Sequence, residues 1–303
     1  MAWLSVDFDS KALRMPCSLD ILMPQGHGNY KTVFLLHGAG GDRTTWLLKT
    51  RISDYASQRN LAVIMPSGNN SFYVNNVNGK NYEDFISEEL PALTKTWFSL
   101  SDRKEDRLIA GMSMGGYGAF VNAMHHPDVF GYAASFSGVL DIVARFDKPQ
   151  GLDMCLPFGT REQLLHSRND LFTLTEQIAK EQITKEQIAK EQITKEQITK
   201  GHIVGDCLGK QAVDSGINCT KERAVSGSES ESIDESRTRF MIMCGEQDKR
   251  IEMSERLYQH MKQLGLDVQY QSAQGKHDFT YWDSCLQPTF DWFLKGGDNN
   301  GRI

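Results

Sequence analysis

One pentapeptide offers chemistry directly: Gly111-Met112-Ser113-Met114-Gly115, a G-x-S-x-G pattern. A serine on a sharp turn between a strand and a helix is forced into a strained backbone, with its oxygen exposed above a sheet. Small residues two before and two after let the chain approach itself there. The following helix aims its first N–H groups at negative charge developing beside the serine. That arrangement suits nucleophilic attack on an acyl carbon. Such a serine needs a base, and the base needs a carboxylate to hold its tautomer and steady the imidazolium. Of the eight histidines, His277 fits best, in the loop Gly275-Lys276-His277-Asp278. His125 and His126 end the helix after Ser113 and point away, and His260 lies inside a helix. For the acid, Asp248 in Gly245-Glu246-Gln247-Asp248 is preferred, with Glu246 as its nearest competitor and Asp278 in a supporting role. The order Ser, Asp, His is the α/β-hydrolase order.

An oxyanion needs two N–H donors. Met114, directly after the nucleophile, supplies one. The other is expected from His37-Gly38-Ala39-Gly40-Gly41, where Ala39 is favoured and Gly40 is second. His37 is expected to fix this loop by hydrogen bonding. Trp46 and Tyr73, on loops facing the site, are expected to line the substrate pocket.

These residues need a scaffold that brings them to one edge. Lys31 to Leu36, Leu61 to Met65, Arg107 to Ala110, Tyr132 to Phe136, Arg239 to Met243 and Val268 to Gln271 read as strands. Helical spacing falls at Thr45 to Gln58, Tyr82 to Phe98 (with a kink or late start at Pro91), Tyr117 to His126, Glu252 to Leu264 and Phe279 to Leu294. Alternating strands and helices predict a mostly parallel central sheet with helices on both faces, and the Ser, Asp, His order points to the α/β-hydrolase version of it. Trp3 to Phe8 and Ser18 to Met23, with no helix between them, predict an antiparallel start. In open α/β sheets ligands bind at the carboxyl ends of strands, where Ser113, Asp248 and His277 all fall.

The rhythm stops between about 140 and 238. One hydrolase domain, 1–296, is expected, carrying a helical, low-complexity insertion at 173–238 and followed by a flexible tail at 297–303. Within the insertion, residues 176–200 are five copies of EQI[AT]K. Each places Glu four residues before Lys, the favourable helical pairing. Thr173-x-x-Glu176 reads as a capping box and Gly201 as a stop. Five residues advance about 140° around a helix, so Ile178, Ile183, Ile188, Ile193 and Ile198 spiral and form no stripe. A solvated, charge-laced helix is expected; a lid or partner-binding arm is the alternative. Residues 226–238, rich in Ser and Glu, read as a linker.

Composition narrows the classes. The chain has 303 residues, 33 basic against 39 acidic, for a net charge of -6. That disfavours a nucleic-acid footprint. No apolar run approaches a membrane span, and no secretory signal is visible. The six cysteines are scattered without a C-x-x-C pair. No metal site is therefore expected, and reduced thiols in a cytoplasm fit.

The segments HGAGG, GMSMGGYGAF, GEQD and GKHDFTYWD together resemble the esterase D-like family of α/β hydrolases, nearest its tributyrin esterases. SFYVN and NYEDFISEELP add to the likeness, which covers about 1–172 and 239–294. The resemblance implies a serine carboxylesterase that hydrolyses short-acyl esters through an acyl-enzyme, without a cofactor. By position it maps Ser113 to the nucleophile, Asp248 to the acid and His277 to the base. Family members that hydrolyse S-formylglutathione tend to carry a cysteine soon after the oxyanion-loop glycines. Here GGDRTTWL has none, which weakens that substrate. Acyl transfer at the same site, or a non-catalytic scaffold using the repeat as an arm, are the competing functions. A small-molecule ester is the expected partner, and self-association is common in the family.

Overall fold

Five short strands are buried along nearly their whole length, and they form the centre of an eight-stranded sheet: β3 (Thr32–Leu36), β4 (Ala62–Pro66), β5 (Arg107–Met112), β6 (Tyr132–Phe136) and β7 (Arg239–Gly245). Continuous apolar runs of this kind are what a parallel sheet covered on both faces requires. β8 (Val268–Ala273) closes one edge, while β1 (Ala2–Ser10) and β2 (Met15–Met23) close the other. The order is β1-β2-β4-β3-β5-β6-β7-β8. β2 runs antiparallel to both β1 and β4, and the remaining pairs are parallel. This is the α/β-hydrolase fold, with the antiparallel start that the two helix-free leading segments predict. The computed structural model describes residues 1–26, 28–77, 79–148, 151–207 and 237–296.

The chain divides into two units, Met1–Gln177 with Ser236–Ile303, and Ile178–Glu235. The first holds the entire sheet and every candidate site residue. Its β3, β5, β7 and β8 end at one edge, so the loops after Leu36, Met112, Gly245 and Ala273 share it.

Several helices depart from the sequence expectation. The helix expected over Thr45 to Gln58 is two, Thr45–Lys49 and Ile52–Arg59. Thr50 is extended between them, and the Arg51 N–H donates to Asp283 at 2.8 Å. A side-chain acceptor from the last helix thus satisfies what a continuous helix would have bonded internally. The Tyr82–Phe98 segment widens into a π turn at Phe85–Glu89 before Leu90–Trp97. Pro91 has no N–H to give the preceding turn, and the wider i→i+5 bond from Leu90 to Phe85 takes its place.

The repeat lies in a helix spanning Leu171–Cys207. It starts two residues before the expected cap at Thr173. Asp170 does the capping, accepting from the Phe172 N–H at 3.2 Å and the Thr173 hydroxyl at 2.8 Å. It also passes Gly201, because an interior glycine costs a helix only about 1 kcal/mol. Ile183 and Ile188 are exposed, as the 140° advance per unit predicts. Most of the Ser/Glu-rich linker, from 226 to 236, and the tail 297–303 lie outside the described residues. Among the described residues no helix is long and apolar enough to cross a membrane. Cys17, Cys155, Cys244 and Cys285 are unbridged.

Candidate active site

β5 runs into Ser113, whose backbone sits at φ 53°, ψ -113°. A non-glycine residue held there costs about 1–3 kcal/mol and persists only where its surroundings over-determine it. They do so here. The Ser113 N–H donates to the Phe136 carbonyl at 2.9 Å, and the Ser113 carbonyl accepts from Val139 N–H at 3.1 Å and Gly116 N–H at 3.2 Å. The flanking glycines are required by contact distance. A Cβ on Gly111 would lie 2.5 Å from the Gly115 carbonyl, and one on Gly115 would lie 2.5 Å from the Leu36 carbonyl oxygen. The elbow is therefore clamped against the end of β3, and the helix Met114–His125 starts directly from it.

The partners arrive from the two neighbouring strand ends. The loops after β7 and β8 are tied to each other: Gln247 N–H donates to the Gly275 carbonyl at 3.0 Å, and Gly275 N–H to the Gln247 side chain at 2.8 Å. That tie sets Asp248 against His277. Nδ1 of His277 lies 2.8 Å from Asp248 Oδ2, and Nε2 lies 3.1 Å from Ser113 Oγ. Three residues from three separate strand ends thus form one hydrogen-bonded line. Asp248 is buried. Burial pushes its carboxyl up, but the bonds from His277 and the Arg250 N–H outweigh this and hold it below the ordinary aspartate range. Glu246 is exposed, and Asp278 caps the last helix by accepting the Tyr281 N–H at 3.1 Å. The edge of the Trp282 ring meets the face of His277 or the reverse, with centroids 4.9 Å apart, and limits how the imidazole can turn.

The donors separate cleanly. Ala39 and Met114 line the cleft that holds Ser113, and neither N–H has an acceptor among the described residues. Gly40 does not fill the role of second donor. Its N–H is already given to Asn70 Oδ1 at 2.8 Å, and its φ of 74° marks it as the residue that turns the loop. His37 is buried and anchors that loop from both ring nitrogens. Nδ1 is 2.7 Å from the Gly38 carbonyl, and Nε2 accepts the Gly68 N–H at 2.9 Å. Burial holds His37 below the histidine value of 6.5. The unfolded chain therefore binds this proton first, so the contribution of His37 to stability is complete above about pH 6.5 and is lost as pH falls below it. Urea unfolding at several pH values between about 5 and 8 should show a steeper loss on acidification for the wild type than for His37→Gln.

The two expected pocket residues belong to the core instead. Trp46 is fully buried, donates from Nε1 to the Leu36 carbonyl at 3.1 Å and packs edge-on against Phe136. Tyr73 is fully buried between Gly68 and Gly118, and its hydroxyl donates to the His37 carbonyl at 3.0 Å. Both stiffen the floor of the His37–Gly41 loop without lining the cleft. The neighbouring Phe72 lines it, with Leu152, Phe279 and Trp282. The cleft has a volume of about 490 Å³, in the range of small-molecule sites. Sequence reasoning also missed Arg145 and Arg250 in its wall; the only available signal was the position of Arg250, two residues after Asp248. Among the described residues no group of three or more His, Cys, Asp or Glu is placed to hold a metal ion.

Comparison with known proteins agrees with this architecture. A family model described as "Putative esterase" matches residues 10–199. The chain is 25% identical to an acetyl esterase of Caldicellulosiruptor saccharolyticus over 318 residues, which covers 98% of this chain and 100% of that protein. Among solved structures, fluorophosphonate-binding serine hydrolase F of Staphylococcus aureus superposes with a TM-score of 0.74 at 24% identity, covering 97% of this chain and 98% of that one. An S-formylglutathione hydrolase of the same organism gives 0.71 at 24% identity, with the same coverage. At that identity the two structures speak to the fold alone.

Proposed function

Because the chain belongs to the esterase family and is a carboxylic ester hydrolase, we propose that it cleaves short-chain acyl esters with Ser113 as nucleophile, His277 as base and Asp248 as orienting acid. The observation that carries this reading is the unbroken Asp248–His277–Ser113 line, set on a strained elbow at the mouth of a cleft. Ser113 Oγ attacks the ester carbonyl carbon while His277 Nε2 takes its proton. The carbonyl electrons move onto oxygen, which the Ala39 and Met114 N–H groups receive. The tetrahedral intermediate collapses, the C–O bond to the alcohol breaks, and His277 returns the proton to the leaving alkoxide. Water, deprotonated by the same imidazole, then attacks the acyl-enzyme and releases the acid. Asp248 keeps its negative charge throughout and steadies the imidazolium.

The short-chain preference is supported by the acetyl esterase to which the chain is 25% identical, and Phe72, Leu152, Phe279 and Trp282 offer apolar walls beside Ser113 for a small acyl group. A series of p-nitrophenyl esters tests it. The value of kcat/KM should be highest between acetyl and butyryl and at least about 10-fold lower for octanoyl, since each surplus methylene without room costs on the order of 1 kcal/mol. A maximum at octanoyl or beyond would overturn the preference. The unbridged thiols are compatible with a cytoplasmic setting, which we propose with it.

A further inference from the structure

Two arginines in the cleft wall have too few partners. Arg145, on the short helix Ile142–Asp147, and Arg250, in the loop after β7, line the same cleft as Ser113 and His277. They are only 6% and 7% exposed. A buried guanidinium carries five N–H donors and is ordinarily met by carboxylates or carbonyls. Among the described residues Arg145 makes one side-chain hydrogen bond, from Nη1 to the Lys148 carbonyl. The side chain of Arg250 makes none among the described residues, and the Nε of each arginine is buried and unbonded. The two guanidiniums also repel. Burial first, and Arg145 second, push Arg250 down to about 10.

The nearby carboxylates do not resolve this: Asp141 and Asp147 are committed elsewhere, and Glu252, which shares an adjoining groove with both arginines, is exposed to solvent and bonds neither of them. Asp141 is paired with Arg256 at 2.7 Å and caps its own helix through the Ala144 N–H. Asp147 is paired with Arg161 at 2.5 Å. Asp248 offsets part of the charge on Arg250, but its oxygens accept from His277 Nδ1 and from the Arg250 backbone N–H. Two like charges with idle donors, buried in the wall of a cleft that also carries Lys49, destabilise the free protein. Such an arrangement is explained when a ligand brings the missing acceptors, since functional sites are where stability is given up.

We propose that Arg145 and Arg250 form an anion subsite of this cleft, and that the preferred substrate is an ester carrying a carboxylate on one of its two halves. The inference rests on the ester-hydrolase reading above and names the substrate class for it. A carboxylate offers two planar oxygens, which match the fork of a guanidinium.

Two substrate pairs locate the charge. Monomethyl succinate against methyl butyrate places it on the acyl half, and 4-acetoxybenzoate against its methyl ester places it on the alcohol half. The wild type should favour the anion in one pair by at least about 10-fold in kcat/KM, as charge-assisted hydrogen bonds of this kind allow. In Arg145→Met and Arg250→Met the ratio within that pair should fall by at least about 10-fold. Succinate at constant ionic strength should raise the melting temperature of the wild type and not that of either variant, a reading that needs no turnover. Arg250→Met without ligand should melt at or above the wild type, because it removes one of two repelling buried charges. Arg250→Gln repeats the comparison if the methionine variant does not fold.

No anion preference in either pair, together with no succinate shift, overturns the subsite while leaving the hydrolase reading in place. Turnover of none of the four esters and no labelling of Ser113 by a fluorophosphonate would overturn the hydrolase reading instead. A succinate shift that survives both arginine substitutions also sinks the subsite.

Discussion

Ser113→Ala should lower kcat/KM for a p-nitrophenyl short-chain ester by roughly 10⁴- to 10⁶-fold, leaving only what the oxyanion donors and substrate binding supply. The loss belongs to the reaction and not to the fold. Among the described residues Ser113 Oγ has one side-chain partner, His277 Nε2 at 3.1 Å, and the backbone bonds that fix the elbow involve its N–H and carbonyl. Alanine keeps all of those. It also keeps the Cβ that makes φ 53° costly, so its melting temperature should stay close to that of the wild type. Ser113→Gly makes the distinction sharper. It should be equally inactive yet more stable, by about 1 kcal/mol, because glycine occupies this backbone without strain. A fluorophosphonate should label the wild type and neither variant. Near-full activity in Ser113→Ala would sink the mechanism.

How much of this site could be read from the chain depended on where each residue's partners lie. The elbow was legible because its constraints are local: Gly111 and Gly115 meet each other and the end of β3, and the strand and helix beside them carry their own periodicities. The ordered placement of Asp248 and His277 at strand ends was legible for the same reason, since topology puts those ends on one edge. Gly40 was misread because its N–H is taken by Asn70, thirty residues along, from a loop whose path no local pattern reveals. Trp46 and Tyr73 were misread for a related reason. An aromatic residue on a loop near a site looks like a pocket wall, but these two turn inward to bond the carbonyls of Leu36 and His37. Arg145 and Arg250 escaped notice because a charged side chain is assigned to solvent by default, and only three dimensions show these two buried together. The long helix shows the reverse. Its repeat pattern was plain in the sequence, while its start was set by Asp170 and it runs past Gly201, which a helix tolerates.

The second large effect separates the two acids of the β7 loop. Asp248→Asn should lower kcat by about 10³- to 10⁴-fold with little change in KM, because Asp248 acts on the imidazole and does not line the cleft. Its side chain is held at both oxygens: Oδ1 accepts the Arg250 N–H at 2.9 Å and Oδ2 faces His277 Nδ1 at 2.8 Å. An asparagine in this place keeps its carbonyl on the Arg250 N–H, which leaves the NH₂ pointing at the ring. The imidazole must then accept at Nδ1 and carry its proton on Nε2, so it can no longer take the proton of Ser113. The negative charge that steadies the imidazolium is lost in the same step. Glu246→Gln removes an equal charge two residues away on the same loop, from an exposed side chain, and should change kcat by less than about 2-fold. The pair is therefore a test of geometry and not of net charge. Comparable losses in both variants would mean that the loop's field, and not the bond to His277, supports the reaction. A deep loss in Glu246→Gln alone would make Glu246 the acid and displace Asp248 from the mechanism.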